Sequence, residues 1–216
     1  MSKIGIIGAG EVGSHIAQAA LLTGHRVVLA NSRGPETLKD LIDELGPNAS
    51  AATAVEAAQA GDFVIIAVPM KRENDMPTES LADKVVIDTN NYMAWRDGPW
   101  PIIQSFEKTE HEIRQEQLPK SKVVKAFTHI QAPRILTWGK PAGAPDRLAL
   151  AASSDFPEAI AVVRALYDQF GFDTLALRPL SESWRITPGQ PAWKQERHSA
   201  AALRENLAKA RPVPRP

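Results

Sequence analysis

Three glycines near the amino terminus have the spacing of a phosphate-binding turn. Gly8, Gly10 and Gly13 form the pattern G-x-G-x-x-G. In such a turn the first glycine permits a sharp bend, the second admits a pyrophosphate and the third lets a helix pack closely on the preceding strand. The helix start adds N–H donors and a partial positive charge. The predicted dinucleotide contacts are Gly8, Ala9, Gly10, Glu11, Val12 and Gly13. The alternative is a structural turn in a non-binding domain.

A second polar group, Asn31, Ser32 and Arg33, follows eighteen residues after the last of these glycines. Sites for NAD usually place Asp or Glu near this position to bind the ribose 2′-hydroxyl. A carboxylate would repel a 2′-phosphate, whereas a hydroxyl and a planar guanidinium are suited to bind one. These residues therefore predict NADP(H) as the bound dinucleotide. The alternative is that Arg33 is a solvated surface side chain.

The segments around these residues alternate between predicted strands and helices. Strands are predicted at 3–7, 26–30, 50–52, 63–68, 85–88, 123–127, 147–152 and 172–177. Between them lie apolar residues at helical spacing from Val12 to Leu21, and further predicted helices at 36–45, 77–81, 106–117 and 156–170. This alternation predicts an α/β fold with a Rossmann-type, doubly wound parallel sheet.

We expect three regions along the chain. Residues 1–128 form the predicted NADP-binding Rossmann domain, and 129–210 form a small C-terminal α/β region packed on it. Residues 211–216 contain three prolines, which cannot continue a helix or a central strand, so they are predicted to be a disordered tail.

The carboxyl ends of the central strands carry small, amide and hydroxyl side chains. Ligands of open parallel sheets bind beyond these strand ends. Residues 68–69, 89–91 and 127–129 are predicted to converge on the nicotinamide and border it. The predicted cofactor contacts at these strand ends are Ala67, Val68, Pro69, Asn90 and Ala126. About thirty residues separate the strands at 85–88 and 123–127, and connections of that length are often functional.

Seven segments together resemble the NADPH-dependent coenzyme F420 reductase-like family: 4–13, 30–38, 67–69, 86–92, 124–127, 140–146 and 179–185. The resemblance implies that Ser32 and Arg33 bind the 2′-phosphate, and that Val68, Pro69 and Asn90 border the nicotinamide. It also implies a homodimer, and a deazaflavin (coenzyme F420) or flavin ring that stacks on the nicotinamide and exchanges a hydride with it.

The sequence departs from that family after Phe127, where members commonly have two asparagines and this chain has Thr128 and His129. These two residues are the candidate catalytic groups. The imidazole of His129 could protonate or orient an acceptor near neutral pH. The alternative for His129 is a packing or hydrogen-bonding role at a strand end.

Several aromatic residues follow the predicted cofactor-binding strands: Tyr92, Trp95, Trp100, Trp138 and Trp184. They could form a stacking wall for a flat acceptor or a contact between two copies of the chain. The charged segment 107–116 is interpreted as a solvated helix face.

Composition excludes several other classes of function. The 25 basic and 25 acidic residues balance, which disfavours nucleic acid and anionic membranes as partners. There is no cysteine, so we expect no disulfide, thiolate nucleophile or cysteine-based metal site, and we expect a cytoplasmic location. No apolar run approaches the ~20 residues of a membrane span, and no metal site is predicted.

Three functions fit these features. The first is an NADP(H)-dependent oxidoreductase that acts on a deazaflavin, a flavin or another small redox acceptor. The second is a reductase of a small carbonyl or imine, although the roughly ninety residues after Phe127 are expected to form β-rich structure rather than the large helical domain of such enzymes. The third is a non-catalytic NADP(H) sensor.

Overall fold

The computed structural model describes residues 1–70, 76–194 and 196–212. Its strands are β1 (Lys3–Ile7), β2 (Arg26–Ala30), β3 (Ala49–Ala51), β4 (Phe63–Ile66), β5 (Val85–Asp88), β6 (Lys122–Lys125), β7 (Ala149–Ser153) and β8 (Asp173–Leu177). Within this part of the chain they form one sheet with the order β3-β2-β1-β4-β5-β6-β7-β8. The pairs from β3 to β6 are parallel, β7 runs antiparallel to β6, and β8 is parallel to β7.

The helices between the strands are α1 (Glu11–Leu22), α2 (Lys39–Leu45), α3 (Ala54–Ala60), α4 (Thr78–Leu81), α5 (Ala94–Asp97), α6 (Pro101–Gln104), α7 (Glu110–Gln117), α8 (Ala132–Thr137), α9 (Pro157–Gln169) and α10 (Ala200–Lys209). Short 3-10 helices lie at Pro35–Leu38, Leu180–Ile186 and Pro191–Trp193. This architecture confirms the predicted Rossmann-type α/β fold with a smaller α/β region at its C-terminal side.

Two predicted helices differ from the observed ones. The segment predicted as one helix at 36–45 divides into the 3-10 turn Pro35–Leu38 and α2. The helix predicted at 106–117 begins only at Glu110, because Thr109 and Glu112 form a capping box there. Phe106 has a left-handed backbone, with φ of 61°, and so lies outside the helix.

The sheet is buried on both faces, as its nearly continuous apolar strands predict. Ile6 and Ile65 belong to a core cluster that includes α1 and α9 residues. Their strand neighbours Ile7, Val64 and Ile66 belong to a second cluster on the opposite face. The sheet therefore holds the strand ends rigidly, and those ends carry the predicted site.

The division of the chain at residue 128 stays a prediction, and strands from both predicted regions lie in the same sheet. Most of the tail predicted to be disordered, residues 213–216, lies outside the described residues. In the part of the chain that the structure covers, none of the helices combines the length and apolar character needed to cross a bilayer.

Candidate functional site

The glycine turn joins β1 to α1, and its three glycines have different surroundings. Gly8 has a φ of 116°, and its N–H donates to the Ala30 carbonyl at 2.8 Å. A Cβ on Gly8 would overlap the Ala67 carbonyl, and one on Gly13 would overlap the Gly8 carbonyl. Gly10, in contrast, has no heavy atom within 4 Å of the place where its Cβ would lie. Two glycines are therefore needed for packing, and the third faces open space.

That open space lies at the amino end of α1. Gly10 is the N-cap residue and makes no side-chain capping bond. The first N–H groups of any α-helix have no partner within the helix, and with the helix dipole they favour an anion. Ala9 and Val12 pack against the core, while the Glu11 side chain is exposed. The backbone, rather than these side chains, is therefore the group suited to a phosphate.

At the end of β2, the Asn31 side chain stabilises a turn, and a contact between Asn31 and the dinucleotide stays a prediction. Its Oδ1 accepts from the N–H groups of Arg33 and Gly34, each at 3.0 Å, and its Nδ2 donates to Thr37 Oγ1 at 2.8 Å. Ser32 and Arg33 are left exposed at the tip of this turn. Because Ile7 pairs with Ala30, the tip lies beside the glycine turn.

The ends of β4, β5 and β6 lie at the same edge of the sheet. Ile66 pairs with Asp88, and Asp88 pairs with Lys125. The N–H of Ala67 donates to the Ile7 carbonyl at 2.8 Å, which joins this edge to the glycine turn. Of the predicted cofactor contacts at this edge, Val68 is half-buried and Pro69 exposed, whereas Asn90 is buried and Ala126 is fully enclosed. The fold thus brings the predicted cofactor residues to one edge.

Asn90 is held by a buried ion pair that the sequence did not reveal. Asp88 Oδ1 accepts from the Asn90 N–H at 2.9 Å and from Asn90 Nδ2 at 2.8 Å. Asp88 Oδ2 accepts from Arg114 Nε at 2.9 Å. Burial by itself would raise the pKa of Asp88, but the Arg114 charge, His111 and the Asn90 N–H hold it below its usual value. Asp88 is therefore an ionised carboxylate beneath Asn90.

The interpretation of 107–116 as a solvated helix face is wrong for one side of α7. Glu110, His111 and Arg114 are each at most 1 % exposed. Glu110 pairs with Lys125 Nζ at 3.0 Å, and this pair is also fully buried. Burial, together with the nearby Lys125 charge, lowers the pKa of His111 to about 4. Helical spacing places 110 and 114 on one face, but no local signal showed that this face was the inner one.

The two candidate catalytic residues, Thr128 and His129, follow β6 in the chain and are both buried. Asn91 Nδ2 donates to the Thr128 carbonyl at 2.7 Å, and His129 Nε2 accepts from the Ala151 N–H at 2.8 Å. Burial lowers the pKa of His129 to about 3, so its imidazole is neutral near pH 7. This contact corresponds to the strand-end alternative, and a catalytic role for Thr128 or His129 stays a prediction.

The five aromatic residues separate by exposure. Tyr92 and Trp100 are buried and stack on each other, with ring centroids 6.4 Å apart and planes 13° apart. Trp138 lies under Arg134 and Arg197, and Trp184 contacts Phe106 and Arg185. Trp95, on α5, is 84 % exposed. The five therefore do not form one wall, and Trp95 is the member with an open ring face.

Trp95 lies close to the strand end that carries Asn90. The neighbouring Arg96 donates from Nη2 to the Asn91 carbonyl at 2.6 Å and also pairs with Asp97 at 2.8 Å. The N–H of Met93 donates to the same Asp97 carboxylate at 3.0 Å. These contacts fix α5 against residue 91, next to the predicted nicotinamide border.

Metal ligation was not predicted. Across the described ranges, no group of three or more His, Cys, Asp or Glu side chains is arranged to hold a metal ion.

Residues 3–92 match the family described as NADP oxidoreductase, coenzyme F420-dependent, which confirms the resemblance for the four segments between residues 4 and 92. The chain is also 36 % identical over 64 residues to the protein YjhV of Escherichia coli strain K12. That match covers 30 % of this chain and 47 % of YjhV, so it spans less than half of that relative.

Solved structures share the fold over most of the chain. The hypothetical protein SMa0349 from Sinorhizobium meliloti is 28 % identical, with a TM-score of 0.70 over 88 % of this chain and 92 % of that one. A protein from Arthrobacter sp. FB24, provisionally named an F420-dependent NADP-reductase, is 24 % identical, with a TM-score of 0.67 over 82 % and 85 %. An imine reductase variant from Myxococcus stipitatus, solved with NAD⁺, is 18 % identical, with a TM-score of 0.56 over 82 % and 54 %.

Proposed function

We propose that this chain is an NADP(H)-dependent oxidoreductase that transfers a hydride between NADPH and a small, flat redox acceptor. Its residues 3–92 match the coenzyme F420-dependent NADP oxidoreductase family. A deazaflavin (coenzyme F420) or a flavin is the acceptor class. The observation that carries the proposal is the open space over Gly10, where a Cβ would meet no atom within 4 Å at the start of α1.

The phosphate contacts follow from that space. A pyrophosphate above Gly10 would meet the first N–H groups of α1 and the positive end of its dipole. Gly8 and Gly13 are required by the backbone itself, because a Cβ on either would overlap a carbonyl oxygen. Gly10 therefore differs from them, because neither a close contact nor its φ of −80° requires glycine there, and a bound pyrophosphate would account for the missing side chain.

The turn at the end of β2 would select NADP(H) over NAD(H). Asn31 bonds the Arg33 and Gly34 N–H groups and thereby holds the turn open. The exposed Ser32 hydroxyl and Arg33 guanidinium then offer donors to a 2′-phosphate. No carboxylate stands among residues 31–33 to repel that group or to bind a free 2′-hydroxyl.

When bound, NADPH supplies the hydride, two electrons with one proton, and the acceptor ring receives it. The chain therefore needs no strong acid–base pair and acts by holding two rings in contact and excluding water. Val68, Pro69 and Asn90 would border the nicotinamide. The neutral, buried His129 is consistent with a reaction of this kind.

The acceptor would approach from the side of α5. Trp95 presents an exposed indole there, on a turn fixed to the Asn91 carbonyl by Arg96. Flat rings stack well on indole faces. This arrangement supports a planar aromatic acceptor over a small aliphatic carbonyl or imine. A homodimer and a cytoplasmic location remain expectations from the sequence and the family.

Anaerobic titration tests the proposal. NADPH oxidation is followed by its absorbance while coenzyme F420, flavins and ferric chelates are added in turn, with NADH as the matched control. We expect turnover with at least one planar acceptor and a preference for NADPH. Tight NADPH binding without turnover on any acceptor would favour the sensor, and turnover only with imines or carbonyls would favour the second reductase class.

A further inference from the structure

The strongest unassigned feature is the buried group formed by Asp88, Asn90 and Arg114. Asp88 is fully buried at the end of β5, and Arg114 on α7 is 1 % exposed. The Arg114 Nε to Asp88 Oδ2 distance is 2.9 Å, although the two residues are 26 positions apart in the chain. Asp88 Oδ1 receives both the backbone N–H and the side-chain Nδ2 of Asn90.

These contacts determine which way the Asn90 amide faces. A carboxylate accepts hydrogen bonds and cannot donate them. The Asn90 NH₂ group must therefore point toward Asp88, and its carbonyl oxygen Oδ1 must point away from Asp88, at the opposite end of the planar amide. An unrestrained asparagine could present either end, so the ion pair decides the hydrogen-bonding character of Asn90.

We infer that Asp88 and Arg114 are positioning residues that fix Asn90 Oδ1 as the acceptor for the carboxamide NH₂ of the nicotinamide. The inference rests on the proposed function and deepens it. The chain would then distinguish nicotinamide from pyridine rings that lack this NH₂ donor.

The placement of α7 supports a positioning role. A capping box between Thr109 and Glu112 fixes the start of the helix. The Glu110–Lys125 pair, at 3.0 Å, joins it to β6, and Lys125 also donates to the Ser183 carbonyl at 3.2 Å. The helix within the long connection between β5 and β6 thus holds Arg114 under the strand ends.

Stability alone does not account for such a pair. Removing two charges from water costs about as much as their attraction returns, and well-packed apolar residues often replace buried ion pairs without loss. The carboxylate of Asp88 instead orients the Asn90 amide, because a group that can only accept hydrogen bonds must face the Asn90 NH₂.

The experiment compares equilibrium binding of three ligands. They are NADP⁺, its 3-acetylpyridine analogue, in which a methyl replaces the carboxamide NH₂, and 2′-phospho-ADP-ribose, which has no pyridine ring. We expect wild-type protein to prefer NADP⁺ over the analogue by roughly tenfold, the effect of one hydrogen bond. Arg114→Met and Asn90→Ala should each bring this ratio close to one. Affinity for 2′-phospho-ADP-ribose should stay unchanged, and Arg114→Lys should recover part of the ratio.

Glu110→Gln is the matched control, because it removes one charge from the other buried ion pair on α7 but keeps a side-chain oxygen that can accept from Lys125 Nζ, so α7 stays joined to β6. It should lower stability and leave the ligand ratio unchanged. The inference is overturned if wild-type protein shows no preference, if Asn90→Ala retains the full preference, or if Glu110→Gln abolishes it. Asn90→Ala breaks no ion pair and so decides the matter even if Arg114→Met does not fold. Wild-type protein that binds none of the three ligands would refute the proposed function itself.

Discussion

Replacing Gly10 with alanine separates ligand binding from folding at the glycine turn. Gly10 has φ of −80° and ψ of −169°, which alanine adopts without strain. The new Cβ would meet no atom within 4 Å. The matched variant is Gly13→Ala, whose Cβ would overlap the Gly8 carbonyl oxygen. The two changes add the same methyl group three residues apart.

The two substitutions are expected to change different free energies, that of NADPH binding for Gly10→Ala and that of unfolding for Gly13→Ala. For Gly10→Ala, weaker N-capping and lower unfolded-state entropy nearly offset each other, so we expect a stability change within about 1 kcal/mol. The methyl group would occupy the space proposed for the pyrophosphate and cost roughly 3 kcal/mol of binding, about a hundredfold in Kd. Gly13→Ala forces backbone movement in a packed core and should cost about 3 kcal/mol of stability or more.

The assay is thermal unfolding with and without NADPH, together with a direct Kd by fluorescence titration. For a chain of this size, 1 kcal/mol shifts Tm by about 2–4 °C. Gly10→Ala should keep its Tm within that range and lose most of the NADPH-induced increase, whereas Gly13→Ala should show a lower Tm without ligand. Wild-type NADPH affinity in Gly10→Ala would refute the reasoning, because the phosphates would then not pass over this residue.

Three further predictions concern other parts of the molecule. Arg33→Ala should weaken NADPH binding by about 1–3 kcal/mol, the strength of a charge-assisted hydrogen bond, and hardly affect NADH. Trp95→Ala should raise the KM of a planar acceptor by about tenfold through lost stacking and leave the Kd of NADPH unchanged. The control Leu22→Ala, which also removes an exposed apolar side chain, should change neither value. His111 and His129, with pKa values lowered to about 4 and about 3 from 6.5, are neutral when folded and gain protons on unfolding. Their contribution to stability is present above pH 6.5 and lost as pH falls toward 4, by roughly 2 kcal/mol each at pH 5.

These predictions have distinct failures. Equal loss of NADPH and NADH affinity in Arg33→Ala would remove its assignment to the 2′-phosphate. An unchanged acceptor KM in Trp95→Ala would place the acceptor elsewhere. Urea unfolding that gives the same free energy at pH 7 and pH 5 would contradict the buried, neutral state of both histidines.

Much of the fold could be predicted from the sequence because its signals are local. Gly8 and Gly13 follow an apolar strand and open an amphipathic helix, and each requirement involves neighbours within a few residues. The strands in the first half of the chain were located to within a few residues for the same reason. The sequence did not indicate that the Asn31 side chain forms the turn that carries Ser32 and Arg33, and its predicted contact with the dinucleotide stays a prediction.

The segment 107–116 could not be interpreted correctly from local sequence signals. Its charged residues, taken by themselves, indicate a helix exposed to solvent. One face of α7 nevertheless carries the buried ion pairs with Asp88 and Lys125. A charge is buried only where a partner from another element meets it. Neither partner lies within the segment, so the pairing depends on how α7 packs beneath the sheet.

His129 illustrates the same limit. The residue type allowed either a catalytic imidazole or a hydrogen-bonding group at a strand end. The structure supplies the second contact, since Nε2 accepts from the Ala151 N–H on β7 and burial lowers the pKa of His129 to about 3. That contact exists because β7 runs antiparallel to β6, a choice of direction that no local pattern encodes.

Local sequence is enough to predict a glycine turn between a strand and a helix, and a Ser32–Arg33 pair at the end of the next strand. Backbone conformation and short-range spacing are sufficient for both. Three other features depend on tertiary packing: of the three glycines in the turn Gly10 is the one that faces open space, Asp88 and Arg114 orient the Asn90 amide, and His129 is buried. Each of these depends on contacts between residues far apart in the chain, and those contacts form only when the sheet and its helices pack together.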